Sequence, residues 1–286
     1  MKVVKTIKEA RGIIKRAKEK GNIIGFVPTM GALHRGHLSL MRTAKNKCDY
    51  VVVSIFVNPT QFGAGGDYRR YPRNLEKDLK LARQTGADLI FVPKVPEMYP
   101  EEQLSWVEVK KMQARLCDRF RPGHFQGVAT VVTKLFNIVQ PDKAFLGQKD
   151  AQQARIIKKM VKDLNLDVKI EILPTVREED GLAMSSRNAY LNSRERKAAA
   201  VLYKSLKNAG CSIKNGEKKA GKIIQKMRRL IKKEPLAGID YIEIVDPESL
   251  TPLKIIKNEV LVSLAVRIGK ARLIDNIQIR CKKGKK

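Results

Sequence analysis

The sequence contains few acidic residues. Its 286 residues include 29 Asp and Glu against 58 Lys and Arg, so the formal net charge at pH 7 is +29. An excess of this size attracts anions in general, including nucleic acids, acidic membranes, nucleotides and small carboxylates. The charge therefore indicates the sign of a partner and leaves its chemical class open.

Cysteine and long apolar runs are also scarce. The cysteines are widely separated and form no C-x-x-C pair, which favours inert thiols in a reducing compartment over disulfides or a zinc site. No stretch approaches the roughly 18 apolar residues that span a bilayer, and charges interrupt the N-terminal segment too often for a signal peptide. We therefore expect a cytoplasmic protein that does not enter a membrane. The cysteines are Cys48, Cys117, Cys211 and Cys281.

Hydrophobic residues make up 43% of the chain, which is enough for a sizeable core. In the first part of the chain, short apolar runs alternate with helical patterns, and this alternation predicts a parallel sheet. The run from Tyr50 to Val57 does not alternate and is rich in β-branched residues, as is typical of a strand covered on both faces. We therefore predict an α/β, Rossmann-like, doubly wound sheet. The predicted strands are 23–28, 50–57, 89–92, 143–146 and 168–173, and the predicted helices are 5–20, 37–47, 74–85, 127–139 and 151–164.

The pattern changes after residue 175. Two basic helical patterns at 194–209 and 217–234 precede three strand-like runs. Those runs follow one another without an intervening helix, which predicts an antiparallel sheet. We therefore expect two domains, a Rossmann-like domain at 1–175 and a smaller α+β domain at 176–286. The three runs are 239–245, 259–267 and 272–280.

The segment PTMGALHRGH, residues 28–37, joins a predicted strand to a predicted helix. Gly31 and Gly36 allow the backbone to approach a ligand closely. His34 and His37 lie at the helix start, where free N–H groups and the positive end of the dipole favour phosphate. A purely structural pair of histidines and a zinc site are the alternatives. Zinc needs three or four protein ligands, whereas the chain has three histidines in all.

Two further polar segments follow predicted strands. Asn58 and Gln61 carry amides that suit a substrate with hydroxyls and a carboxylate, although an ordinary Asn-Pro turn is the simpler explanation. In GQKDAQQ, residues 147–153, Lys149 offers a mobile charge for phosphate. Asp150 could cap the next helix or help to hold Mg²⁺ through water. A capped, solvated helix start explains this segment equally well.

A fourth segment, VREEDGLAMSSRN, occupies residues 176–188. Within it, Ser185, Ser186 and Arg187 offer two hydroxyls and a guanidinium as phosphate contacts. The alternative is an exposed, serine-rich linker between the two predicted domains.

Taken together, these strings resemble a known family. H-x-G-H after a strand resembles the signature of the nucleotidyltransferase superfamily, which includes class I aminoacyl-tRNA synthetases. MSSR resembles the second signature of that superfamily. The longer strings resemble the pantothenate synthetase family, in register and in order from about residue 22 to 192. No such strings occur after that point, so the C-terminal fold rests on general patterns alone.

The resemblance implies an ATP-dependent ligase that activates pantoate as pantoyl adenylate and joins it to β-alanine, releasing AMP and pyrophosphate. It implies a homodimer in which residues 1–175 bind ATP and pantoate and 176–286 form a lid. Mg²⁺ would be held mainly by the phosphates, with no protein ligand directly predicted.

The resemblance also implies roles for individual residues. His34, His37 and Lys149 are assigned to catalysis, and the role of His124 is left open. The residues assigned to ATP are Met30, Gly31, His34, Gly36, His37, Gly147, Lys149, Asp150, Val176, Met184, Ser185, Ser186 and Arg187, and those assigned to pantoate or β-alanine are Asn58, Gln61, Arg121 and Gln153.

Two other functions remain open on the sequence. One is a different H-x-G-H adenylyltransferase or an RNA-linked synthetase, which the charge favours and the longer strings oppose. The other is a nucleic-acid-binding module that uses the basic segment 217–234. A solvated basic face over an apolar stripe explains that segment more simply, and no aromatic residues are interleaved for stacking on bases.

Overall fold

The computed structural model of the chain describes residues 1–63, 67–112, 116 and 121–281. Cys117 and the basic tail at 282–286 lie outside the described residues. The chain divides into two units. The first comprises Met1–Gln113, Arg121–Gln148 and Gln153–Pro174, and the second comprises Ala114–Phe120, Lys149–Gln152 and Thr175–Lys286. The division into domains at 1–175 and 176–286 stays a prediction.

The first unit is built on a six-stranded sheet in which every neighbouring pair is parallel. Its central strands are almost wholly buried and rich in β-branched residues, as expected where helices cover both faces. The predicted α/β parallel sheet is confirmed. The strands are β1 (Lys2–Val4), β2 (Ile24–Thr29), β3 (Tyr50–Ile55), β4 (Leu89–Phe91), β5 (Lys143–Gly147) and β6 (Lys169–Leu173).

The order of these strands is β1-β4-β3-β2-β5-β6. The chain proceeds outward from β2 through β3 to β4, and then returns to the other side of β2 to form β5. In parallel sheets of this kind, ligands bind outside the carboxyl ends of the strands where the order reverses. That reversal lies between β2 and β5, the strands that PTMGALHRGH and GQKDAQQ follow.

The described residues of this part of the chain include six α-helices. The first begins at a capping box, in which the side chain of Thr6 accepts from the backbone of Glu9 and the side chain of Glu9 accepts in return. It buries Ala10, Ile14 and Ala17 on one face. The helices are α1 (Ile7–Glu19), α2 (Arg35–Lys47), α3 (Leu75–Arg83), α4 (Val95–Met98), α5 (His124–Val139) and α6 (Ala151–Asp163).

The second unit carries a three-stranded antiparallel sheet of order β7-β8-β9, which confirms the predicted α+β arrangement. Its helices bury an apolar face that includes Leu202, Leu206, Ile223 and Met227. The elements are α7 (Ser193–Ala198), α8 (Ala200–Lys214), α9 (Ala220–Ile231), β7 (Ala237–Val245), β8 (Glu259–Ile268) and β9 (Ala271–Arg280). Throughout the described ranges, each helix is too short or too polar to cross a bilayer.

The basic face of α9 and its flanks is exposed, whereas Ile223, Met227 and Ile231 on the opposite side are buried. Within the described part of the chain, the basic residues of this face form no ion pair. We call this set the α9 basic face: Lys218, Lys219, Lys222, Lys226, Arg228, Arg229, Lys232 and Lys233.

We predict that Lys226→Gln raises the melting temperature at low ionic strength. Lys226 has like charges four residues before it, at Lys222, and three residues after it, at Arg229. Such pairs on a helix each cost about 0.2–0.5 kcal/mol. Salt screens them, so the gain should shrink between about 20 mM and about 300 mM NaCl in thermal denaturation.

Lys47→Gln is the control, because Lys47 has no charged residue three or four positions away and its Nζ lies 3.0 Å from Glu171 in an ion pair of attractive sign. It should not raise the melting temperature. A Lys226→Gln variant that is no more stable than the parent at low salt would show that repulsion on the α9 basic face is negligible.

Candidate functional site

The loop after β2 has an unusual, left-handed backbone conformation. Gly31 has φ of 80° and Ala32 has φ of 50°, so two successive residues are left-handed. The Thr29 hydroxyl donates to the carbonyl of Ser54 at 2.7 Å and accepts from the Gly31 N–H at 3.2 Å. The loop is thereby fastened to the end of β3.

A buried carboxylate holds the same loop from α3. Asp78 is 2% exposed, and its two oxygens accept from the backbone N–H groups of Ala32 at 2.9 Å and Leu33 at 2.7 Å. Burial raises the pKa of Asp78, and the bonds from Leu33 and Ala32 oppose that rise. A Cβ at Gly31 would lie 2.8 Å from Asp78 Oδ2 and 3.0 Å from Ile55 Cγ2, so this position requires glycine.

The two histidines lie together where α2 begins. His34 is the N-cap residue, and its Nδ1 accepts from the Gly36 N–H at 3.1 Å. With Nδ1 as acceptor, the proton of neutral His34 is on Nε2. The rings of His34 and His37 are 4.1 Å apart between centroids and inclined by 35°. Two imidazoles and the positive end of a 13-residue helix therefore share one place, which suits an anionic group.

Gln61 is held in place from three sides. Its Nε2 donates to the sulfur of Met30 at 3.1 Å, which joins it to the loop after β2. Its Oε1 accepts from Asn58 Nδ2 at 3.2 Å, and its backbone carbonyl lies 2.8 Å from Nδ1 of His124. The structure therefore brings the predicted residues Met30, Asn58 and Gln61 into contact and places His124 behind them.

Asn58 is 1% exposed and surrounded by protein partners. Its amide also donates to the carbonyl of Gly127 at 3.1 Å, and its Oδ1 accepts from Tyr99 at 2.8 Å and from Thr60 at 3.1 Å. A Cβ at Gly127 would lie 2.4 Å from the Thr60 carbonyl oxygen, so α5 can approach this turn only through a glycine. Asn58 thus supports Gln61, and its predicted contact with substrate stays a prediction.

The segment after β5 begins at Gly147, where an added Cβ would meet no atom within 4 Å. A 3-10 turn at Gln148–Asp150 leads into α6, on which Gln153 is half-buried. The Lys149 side chain is 18% exposed, and its Nζ lies 3.5 Å from Asp150 Oδ1. Arg121 lies in the turn before α5, where its backbone carbonyl accepts from His124 at 3.1 Å.

In the second unit, residues 176–184 form a hairpin, which is followed by a 3-10 turn at Ser186–Tyr190. The Met184 N–H donates to the Val176 carbonyl at 3.0 Å. Ser185 caps the turn by accepting from the Arg187 N–H at 3.3 Å. Ser186 and Arg187 are half-buried, so they belong to a folded loop rather than to an exposed linker.

The sequence-predicted residues therefore form two groups. In the first unit, all of them except Arg121, which precedes α5, follow the carboxyl ends of β2, β3 and β5. In the second unit they occupy Lys149–Asp150 and the segment from Val176 to Arg187. Among the residues that the structure describes, no three His, Cys, Asp or Glu side chains gather at a metal-binding distance.

Sequence reasoning missed Asp78 and Tyr99, which support this site without carrying a motif. Asp78 did leave one signal. It occupies, with Ala82 four residues later, the buried stripe of α3, where an acidic residue is unusual.

Comparison with known proteins gives one consistent answer. The family model for pantoate-beta-alanine ligase matches residues 2–278. The pantothenate synthetase of Pelotomaculum thermopropionicum is 58% identical over 276 residues, which are 96% of this chain and 98% of that protein. The crystal structure of pantothenate synthetase from Thermus thermophilus gives a TM-score of 0.92 at 45% identity, covering 97% of this chain and 99% of that one.

A further solved structure contains ligands. The pantoate-beta-alanine ligase of Francisella tularensis, complexed with beta-gamma ATP and beta-alanine, gives a TM-score of 0.80 at 38% identity. The match covers 97% of this chain and 97% of that one.

We predict that Asp78→Asn lowers stability and weakens ATP binding. The amide would turn an N–H donor toward the backbone N–H groups of Ala32 and Leu33, leaving one unsatisfied at a cost of about 1–3 kcal/mol. A displaced loop should weaken ATP binding by about tenfold, equivalent to about 1.4 kcal/mol. Chemical denaturation and titration calorimetry measure the two effects.

Asp88→Asn is the matched control. Asp88 accepts from the Val51 N–H at 2.8 Å, but it does so at the amino end of the strands. It should lower stability and leave ATP affinity unchanged. Equal ATP affinities in the two variants would contradict a role for Asp78 at the histidine loop.

Proposed function

The chain belongs to the pantoate-β-alanine ligase family, and we propose from this premise how its residues carry out ATP-dependent ligation of pantoate to β-alanine. The observation that carries the proposal is the pair of imidazoles at the start of α2, 4.1 Å apart, beside a loop that also contacts Gln61 through Met30. This arrangement supports an anion-binding position next to an amide suited to a hydroxy acid.

The first step forms an acyl phosphate bond. A carboxylate oxygen of pantoate attacks the α-phosphorus of ATP, the bond to the bridging oxygen of the β-phosphate breaks, and pyrophosphate leaves. The product is pantoyl adenylate. We assign the orientation of pantoate to Gln61 and Gln153, with Asn58 and Arg121 as further contacts.

The second step forms the amide. The uncharged amine of β-alanine attacks the acyl carbon, the bond to the adenylate oxygen breaks and AMP leaves, and the nitrogen passes one proton to the departing phosphate or to solvent. Neither step needs a covalent bond to the enzyme. The chain accordingly has to orient the reactants, stabilise phosphate charge and keep water from the adenylate.

We assign charge stabilisation to His34, His37 and Lys149. Hydrogen-bond donors fixed in advance near a developing negative charge lower the barrier, because they need not reorganise during the reaction. The start of α2 adds its N–H groups, and Gly31 and Gly36 let the backbone come close to phosphate. Gly147 lets phosphate approach the backbone in the same way after β5, because no other atom lies within 4 Å of the place where a Cβ would be.

We assign the nucleotide contacts of the second unit to Met184, Ser185, Ser186 and Arg187. The hydroxyl of Ser185 accepts within its own turn and keeps its proton as a donor. The guanidinium of Arg187 can bind phosphate through two N–H groups. The backbone at Val176, which pairs with Met184, is assigned to adenine.

Mg²⁺ fits this arrangement as a companion of the phosphates. It usually takes one or two carboxylates together with substrate oxygens and water. Asp150, with 45% of its side chain exposed next to Lys149, has an oxygen to offer. The ion would neutralise phosphate charge.

We also propose, on family resemblance, a homodimer. Sedimentation equilibrium giving the mass of one chain would contradict that.

The decisive experiment incubates the protein with ATP and Mg²⁺ and follows AMP release. AMP and pantothenate should appear only with pantoate and β-alanine together, and pyrophosphate exchange into ATP should require pantoate alone. Exchange that depends on a different carboxylic acid would indicate another adenylate-forming enzyme. No ATP binding at all would refute the proposal and favour the nucleic-acid-binding alternative.

The variant His37→Ala tests the assignment of the histidines. Loss of one such donor costs roughly 100- to 1,000-fold in rate, so pantoate-dependent exchange should fall by about that factor while the protein remains folded. The control is Arg42→Ala, which removes an exposed side chain from the same helix. Near-normal exchange in His37→Ala would remove His37 from the mechanism.

A further inference from the structure

Two successive residues of β9 are polar and buried. Asp275 is 1% exposed and Asn276 is 3% exposed. Successive side chains of a strand point to opposite faces, and Asp275 shares its face with Leu273 and Ile279 of the apolar core. An apolar side chain would pack there without the desolvation cost of a charge. Packing alone therefore does not explain this pair of residues.

Asp275 is paired with an arginine that comes from the hairpin after β6. Arg177 donates to its two carboxylate oxygens at 2.7 and 3.0 Å. Burial raises the pKa of Asp275, and the hydrogen bonds and charge of Arg177 oppose the rise. The guanidinium also lies 4.0 Å from the ring centroid of Tyr203. The pair is therefore held by charge, by geometry and by stacking.

Arg177 in turn fixes the hairpin that leads to the serines. Its Nη1 donates to the Gly181 carbonyl at 3.0 Å, and its backbone pairs with Ala183. The neighbouring Val176 carbonyl accepts from Met184 at 3.0 Å. The same guanidinium donates to the backbone carbonyl of Asn276 at 3.3 Å, which ties the hairpin to β9.

The side chain of Asn276 points to a different target. Its Nδ2 donates to the backbone carbonyl of Lys149 at 3.0 Å, across 127 positions of sequence. A lysine is a flexible, compact charge, so the place that its ammonium can reach is set by where its main chain is held. One strand thus contacts the hairpin that precedes Met184–Arg187 and the main chain of Lys149.

We propose that Asn276 is a positioning residue for the nucleotide, acting through the main chain of Lys149. The Arg177–Asp275 pair keeps β9 and the hairpin in register so that Asn276 can reach this carbonyl. The proposal rests on the assignment of Lys149 to ATP in the proposed function. It extends the machinery to a strand that carries no recognisable motif.

The test compares Asn276→Ala with Asn276→Asp. The aspartate keeps the shape and turns an acceptor toward the Lys149 carbonyl, so both variants lose the hydrogen bond. Displacement of a positioned group by about 1 Å can cost about 100-fold in rate. We expect kcat/KM for ATP in pantoate-dependent exchange to fall about 10- to 100-fold, with KM for β-alanine unchanged.

A double-mutant cycle separates positioning from a structural role. In a Lys149→Ala background, Asn276→Ala should change kcat/KM for ATP less than about threefold. Gln278→Ala, an exposed change two residues along the same strand, is the control and should leave kinetics unchanged. Equal losses in both backgrounds, or a lowered melting temperature with unchanged kinetics, would overturn the proposal.

ATP affinity by calorimetry keeps this test separate from the proposed function. If the parent protein shows no pantoate-dependent exchange, the proposed function fails. ATP affinity that still falls in Asn276→Ala, and does not fall further in the Lys149→Ala background, would support the positioning role by itself. Unchanged affinity would overturn it.

Discussion

The position of β2 between β3 and β5 is the constraint on which the first unit depends. Both pairings are parallel, so the three strands end at one edge of the sheet. The loops that leave this edge carry the histidines, Gln61 and Gly147. Neither a lone H-x-G-H string nor a lone amide turn specifies a site. The two segments lie close together because the hydrogen-bond register of the sheet fixes where each loop starts.

Each unit uses a buried aspartate to hold a loop, and the two do so by different means. Asp78 accepts two backbone N–H groups and holds Ala32 and Leu33 directly. Asp275 binds a guanidinium, which then reaches the carbonyls of Gly181 and Asn276. Asp78 satisfies the backbone N–H donors of a left-handed turn, whereas Asp275 balances the positive charge of Arg177. In both cases, burying a carboxylate costs free energy, but the carboxylate fixes the main chain of a loop. Preorganised sites require such fixed positions.

The sequence predicted the sheet and its main helices, because apolar periodicity and glycine placement are local, and it singled out the loops that carry the candidate site. It did not reveal β1, whose three residues are too few for a pattern, nor the break at Ala199 that divides the predicted helix 194–209 into α7 and α8. Asp78, Tyr99 and Asn276 escaped for a different reason. Their partners lie 46, 41 and 127 positions away, and no local signal encodes such distances.

The excess positive charge of the protein, to which the α9 basic face contributes, acts differently on the three reactants because their own charges differ. ATP and pantoate are anions that a cationic molecule gathers from a distance, whereas zwitterionic β-alanine has no net charge and arrives by unaided diffusion. AMP and pyrophosphate are held back by the same attraction. Raising the ionic strength therefore slows the capture of ATP and pantoate and speeds the release of AMP and pyrophosphate. The rate at which β-alanine arrives stays the same.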